Sequence, residues 1–162
     1  MVPKKTRRIL GIDPGFARTG WGIIDAGSRI EVVDYGCIET HKGMDYSDRL
    51  ISLSKELNKI IKRHKPELAG VEQLFFVKNV KTGIQVGEAR GIIILTLAQS
   101  KLGIHEFTPL QIKQAVAGYG NADKGQVQRM VKTLLALKSI PKPDDAADAL
   151  AVAICTSAIR KK

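Results

Sequence analysis

Cysteine is nearly missing from this chain. Cys37 and Cys155 are the only two in 162 residues, which excludes a disulfide framework or a Cys-x-x-Cys metal site and fits reduced thiols in a cytoplasmic protein. Histidine is almost as sparse: His41, His64 and His105 stand far apart without ligand spacing, so imidazole-based metal chemistry has no motif to rest on. No apolar run approaches the roughly 18 residues of a membrane helix, and no membrane partner is expected. The start, Met1-Val2-Pro3-Lys4-Lys5-Thr6-Arg7-Arg8, is basic, but the apolar stretch after it breaks at Asp13, too early for a secretory core. Acid is the other shortage. Against 26 Lys+Arg there are only 16 Asp+Glu, a formal net charge of +10. That balance points to nucleic acid or another anionic surface as partner, with solubility alone as the plainer explanation.

What remains is the composition of a folded protein, 44% hydrophobic and 26% charged. The length suits one domain over residues 1–162, with flexible basic termini at 1–7 and 160–162. No repeat, low-complexity segment or linker divides it. Short apolar runs and breakers predict strands at Arg8–Asp13, Trp21–Asp25 after the turn-rich Pro14 to Gly20, and Arg29–Glu39. An amphipathic helix follows from Asp45 to Lys65, then a buried strand at Leu68–Glu72. Lys81 to Leu102 is dense in apolar residues and reads as a largely buried helix, followed by a strand at Ile104–Phe107. Thr108-Pro109 opens a helix to Ala117, Lys124 to Leu137 forms another, and the last runs from Pro143-Asp144 to about Ile159, with Asp144 as its expected N-cap. The order predicts one mixed sheet with helices packed on it.

Grouped acids are costly in a basic chain unless something cationic joins them. Asp13 and Glu72 each end a buried strand, where side chains leave the core, and strands set side by side would bring the two together. Asp145 and Asp148 are three apart on one helical face, and Ala146, Ala147 and Ala149 let that helix approach the sheet closely. Capping alone accounts for an aspartate in a first helical turn, but an acid ending an apolar strand has no such duty. Hard oxygen ligands suit Mg²⁺ or Mn²⁺, and two such ions about 3.5–4 Å apart activate water and stabilise a leaving oxygen in phosphodiester cleavage. A basic chain with an acidic metal site reads as a nuclease.

The ordered blocks Gly11-Ile12-Asp13-Pro14-Gly15 with Thr19-Gly20, Glu72-Gln73 with Phe75, Lys78-Asn79, Gly87, Ala89-Arg90-Gly91 and Asp145-Ala146-Ala147-Asp148-Ala149-Leu150-Ala151 resemble the RuvC family of Holliday junction resolvases. The resemblance runs over nearly all residues from 9 to 155. It implies an α/β, ribonuclease-H-like fold: a five-stranded mixed sheet in the order 3-2-1-4-5, its first three strands antiparallel neighbours, with helices on both faces. It also implies a homodimer that makes paired symmetric nicks in four-way DNA junctions during homologous recombination and DNA repair, in association with a branch-migration complex. Mg²⁺ is the implied cofactor, two ions per active site, with Mn²⁺ as a substitute. Asp13, Glu72, Asp145 and Asp148 fall on the family's four acidic positions, as metal ligands and catalytic residues. Histidine replaces the third acid in some relatives, and Asp144 is an extra acid to which the resemblance gives no role.

Phe75-Phe76 follows Glu72, and two adjacent rings cannot point the same way, so one can pack while the other stacks on an unpaired base. The resemblance favours Phe75 for stacking, and it places Lys113 and Lys124 near the scissile phosphate. Lys78, with Lys81, Arg129 and Lys132, would extend a backbone-contacting surface. Gly118 to Asp123 reads as a flexible loop beside Lys124, and the Lys81 to Leu102 helix is a candidate dimer interface, being more apolar than one domain face needs. Three other readings stay open: an RNA-processing nuclease of the same fold, a sugar-kinase or actin-like ATPase sharing the Asp13-Pro14-Gly15 start, and a junction-binding module without catalysis.

Overall fold

The computed structural model describes residues 5–74 and 78–159. In chain order its elements are β1 (Arg7–Asp13), β2 (Arg18–Ala26), β3 (Ile30–Glu39), α1 (Tyr46–His64), β4 (Leu68–Glu72), α2 (Val80–Gln99), β5 (Gly103–Phe107), α3 (Pro109–Ala117), α4 (Lys124–Leu134) and α5 (Asp144–Ser157). The strands form one sheet in the order β3-β2-β1-β4-β5. Antiparallel pairing joins β1, β2 and β3, as the family resemblance implies, and parallel pairing joins β1, β4 and β5.

Strand period divides the core into two layers. Ile9 and Ile24 face α3, α4 and α5 with Ile112, Val131 and Leu150. Leu10, Ile12, Ile23 and Val71 face α1 and α2 with Leu53, Leu57, Ile93 and Leu97. Helix α5 is the most enclosed, with every residue from Ala149 to Thr156 buried. It lies directly on the sheet because a row of glycines runs beneath it: Gly22, Gly11 and Gly70 pair in register across β2, β1 and β4. A Cβ on Gly11 would stand 2.1 Å from the Ala149 carbonyl oxygen, and one on Gly70 would stand 1.9 Å from Thr156 Oγ1. Small residues on both surfaces set the height of the helix above the sheet.

Several boundaries differ from expectation. Strand β2 starts at Arg18, not Trp21, so Thr19 and Gly20 are strand residues rather than turn. Arg7 belongs to β1 and donates to the Ser157 carbonyl, while residues 1–4, 160–162 and Phe75 lie outside the described residues. Helix α4 ends at Leu134, and Ala136 turns the chain away with φ 50. Asp123 and Gln126 close a capping box on α4 and Ala122 is buried, so this end of the presumed flexible loop is anchored. Helix α2 is not largely buried: only Ala89, Ile93, Thr96 and Leu97 are, whereas Val80, Ile84 and Leu95 are 76%, 58% and 51% exposed. No helix among the described residues is long and apolar enough to cross a membrane.

Candidate active site

Asp13 extends the Ile9–Gly11 row of β1, and Glu72 extends the Leu68–Gly70 row of β4, so both carboxylates emerge on the α5 side of the sheet. The parallel register, Ile12 beside Val71, sets them next to each other. Gly20 of β2 pairs with Asp13, and a Cβ there would stand 1.9 Å from the Asp145 carbonyl oxygen. The first turn of α5 therefore rests on the strand beside Asp13, bringing Asp145 and Asp148 in from above. A helix N-terminus also favours acids there by about 0.3–1 kcal/mol each.

The electrostatics record this crowding. Burial first, then the charges of Glu72, Asp148 and Asp145, push the Asp13 carboxyl far above the usual carboxylate range. Burial also raises Glu72, against a hydrogen bond with Asp13 and the attraction of Lys113 and Lys124. Asp148 is raised by burial and held back by Lys124, whose Nζ lies 3.2 Å from its Oδ2. Burial and like charge thus both favour the neutral form of these two neighbouring carboxyls.

The cations take up definite places around the acids. Lys113 and Lys124 line a cavity of about 210 Å³ with Glu72, Asp148 and the apolar floor of Ile112, Val127 and Ala151. A second cavity, about 190 Å³, opens on the other side of Asp13 and Glu72 against Gln73, Leu74, Val86 and Arg90. Lys78 is exposed ahead of α2, and no described contact links it to the acids. Asp144 is not the N-cap, a position held by Pro143; it is the first helical residue, 2.8 Å from Lys142 and 3.9 Å from Lys124.

Two arginines had no role in the sequence reading, although Arg90 falls within a block that matches the family. Arg18 Nε lies 3.2 Å from Asp145 Oδ2, and Arg90 ties α2 to the Glu72 carbonyl and the Glu106 carboxylate. Arg18 falls two residues before Gly20 on the same strand face, a signal lost once that segment is read as a turn.

Among the described residues no three acids, histidines or cysteines close into a ready ligand cluster. Asp145 and Asp148 are turned onto Arg18 and Lys124 instead. The donor set nevertheless fits a hard divalent cation: all-oxygen carboxylates, partly desolvated, whose mutual repulsion a metal ion would relieve. Such a site suits polarisation of a phosphodiester more than redox or thiol chemistry.

Known proteins share both the sequence and the fold. Residues 9–156 match the family model described as crossover junction endodeoxyribonuclease RuvC. The chain is 58% identical over 150 residues to the RuvC crossover junction endodeoxyribonuclease of Caldicellulosiruptor saccharolyticus, covering 91% of this chain and 90% of that protein. It is 57% identical over 148 residues to the Pelotomaculum thermopropionicum enzyme of the same name, with the same coverage. Among solved structures, T. thermophilus RuvC in complex with Holliday junction substrate superposes with a TM-score of 0.87 at 30% identity, over 92% of each chain. The yeast mitochondrial Holliday junction resolvase shares the fold at a TM-score of 0.67 and 16% identity, over 95% of this chain and 80% of its own. With that match spanning both acid-bearing strands and the acid-bearing helix, the chain belongs to the RuvC family of crossover junction endodeoxyribonucleases.

Proposed function

We propose that this protein is a divalent-metal-dependent endonuclease that resolves four-way DNA junctions by paired symmetric nicks, serving recombination and repair. The observation that carries the proposal is the convergence of Asp13, Glu72, Asp145 and Asp148 from β1, β4 and α5 in a chain of net charge +10. Family membership favours this over the ATPase, RNA-processing and non-catalytic readings of the same residues.

The four acids would hold Mg²⁺, two ions by family resemblance, or Mn²⁺ in its place; a bound metal would supply an activated water and charge stabilisation at the leaving oxygen. The remaining work falls to the protein's own groups. Lys113 and Lys124 face the acids across one cavity, where ammonium groups hold a phosphate and offset charge that develops on it. The apolar floor of that cavity limits water beside the phosphate. Gly20 and Gly11 keep α5 low, which fixes the two helical acids over the two strand acids. Phe75 is assigned to base stacking and Lys78 to backbone contact by resemblance, the first lying outside the described residues.

A homodimer suits a substrate with two equivalent strands. Its support is the α2 face bearing Val80, Ile84, Gly91 and Leu95, which recur at helical spacing and are exposed. A branch-migration complex is the further partner we assign, and the two free thiols suit a cytoplasmic location.

The test is cleavage of a mobile four-way junction with and without Mg²⁺, mapped on all four strands. Metal-dependent nicks at symmetric positions on one pair of strands are expected. Cleavage that persists in chelator, or an Asp13→Asn variant that nicks at the parental rate, would overturn the assignment.

A further inference from the structure

Arg18 opens β2 opposite Glu39 of β3. Gly20 lies two residues on, along the same strand face, and its missing side chain admits the Asp145 backbone. Arg18 is therefore aimed at the same first turn of α5. Its Nε stands 3.2 Å from Asp145 Oδ2, and its Nη2 stands 3.5 Å from Glu39 Oε1.

The base of this side chain is fixed and its tip is open to water. Thr19 Oγ1 donates to the Gly15 carbonyl at 2.8 Å, Thr40 N to Ala17 at 3.0 Å and Thr40 Oγ1 to Phe16 at 2.9 Å, which pins the turn that delivers Arg18. The arginine side chain itself is 47% exposed and its Asp145 partner 31%. An ion pair so open to water is weak and exchangeable. A guanidinium, always charged and with five donors in a fixed fork, binds phosphate as readily as carboxylate.

We propose that Arg18 is a displaceable counter-ion: it holds Asp145 in the metal-free protein, yields it when a divalent cation binds, and then takes a phosphate of the bound junction. The proposal rests on the reading of Asp145 as a metal ligand. Arg18 is thereby a positioning residue whose two partners compete, so metal binding and junction binding reinforce one another.

The experiment uses the full chain and Mn²⁺ alone as the probe, with affinity read by titration calorimetry and by electron paramagnetic resonance of free Mn²⁺. Arg18→Ala should tighten Mn²⁺ binding about two- to fivefold, the worth of an exposed ion pair. Arg63→Ala is the charge-matched control: Arg63 is exposed in the last turn of α1, near Arg8 at the opposite end of β1 from Asp13, and its loss should leave the affinity at the parental value. Junction binding is then read by fluorescence anisotropy. Arg18→Ala should weaken it in Ca²⁺, with the salt slope reduced by about one, and leave it little changed in chelator. Arg18→Gln repeats both measurements should the alanine variant unfold. Unchanged Mn²⁺ affinity, or equal weakening of junction binding with and without Ca²⁺, would overturn the role of Arg18 while leaving the acids as ligands. A parental protein without saturable Mn²⁺ binding would overturn the ligand reading and this inference with it.

Discussion

Gly20→Ala tests whether main-chain contact positions the acids. A Cβ at Gly20 would stand 1.9 Å from the Asp145 carbonyl oxygen and 2.4 Å from its carbonyl carbon. Both are backbone atoms, so no side-chain rotation relieves the clash. Restoring an ordinary contact near 3.4 Å requires the first turn of α5 to lift by about 1.5 Å, the difference between the two distances. A misplacement of about 1 Å costs on the order of 10²-fold in rate, and overpacking costs roughly 1–3 kcal/mol of stability. The assay is single-turnover nicking of a four-way junction at saturating protein, well below Tm, beside a thermal melt. Gly43→Ala is the control, because a Cβ there meets nothing within 4 Å. A folded Gly20→Ala protein that nicks within about threefold of the parental rate would refute the reasoning.

Asp13→Asn should abolish nicking while junction binding persists, and should raise the Tm of the metal-free protein. The sign follows from burial and the neighbouring acids, which hold the folded carboxyl above its unfolded value. Folding is then penalised increasingly as pH rises from the unfolded to the folded value, and the amide removes the penalty; each kcal/mol regained is worth about 2–4 °C. An unchanged or lower Tm at neutral pH would contradict this. Calorimetry of Mg²⁺ binding in buffers of different ionisation enthalpy should detect release of about one proton, affinity rising with pH, and Asp13→Asn should lose that release. Ile84→Glu, on the exposed face of α2, should yield a monomer in sedimentation with stability changed by about 0.5 kcal/mol or less. A dimer that survives this charge would move the interface elsewhere.

Local rules made much of the fold legible. Leu68–Glu72 and Pro109–Ala117 have the predicted bounds because each is framed by its own signals, an apolar run between polar residues in one and a Thr108 capping box with Pro109 in the other. Strand order came from family resemblance, since no periodicity says which strands pair. Where tertiary contact decides, local reading failed. Gly20 resembles a turn residue, but it is a strand residue because α5 needs the space above it. The apolar density of α2 resembles burial, yet half of it faces outward. The acids were legible as isolated breaks in apolar runs, whereas Arg18 and Arg90 were not, because their partners lie far away in sequence.

The contrast between a cationic chain and an anionic site has a structural consequence. Four carboxylates crowded at the ends of two strands and one helix repel one another, and three of them have a cation of the chain close by. Arg18 faces Asp145, Lys124 faces Asp148, and Lys113 acts on Glu72. The backbone supplies the remaining rigidity, through Gly11, Gly20, Gly22 and Gly70 beneath a helix of small residues. Positions without chemistry of their own should therefore be the least tolerant of change. Removing a lysine weakens one contact, while adding a methyl group at Gly20 moves the helix that carries half of the acids.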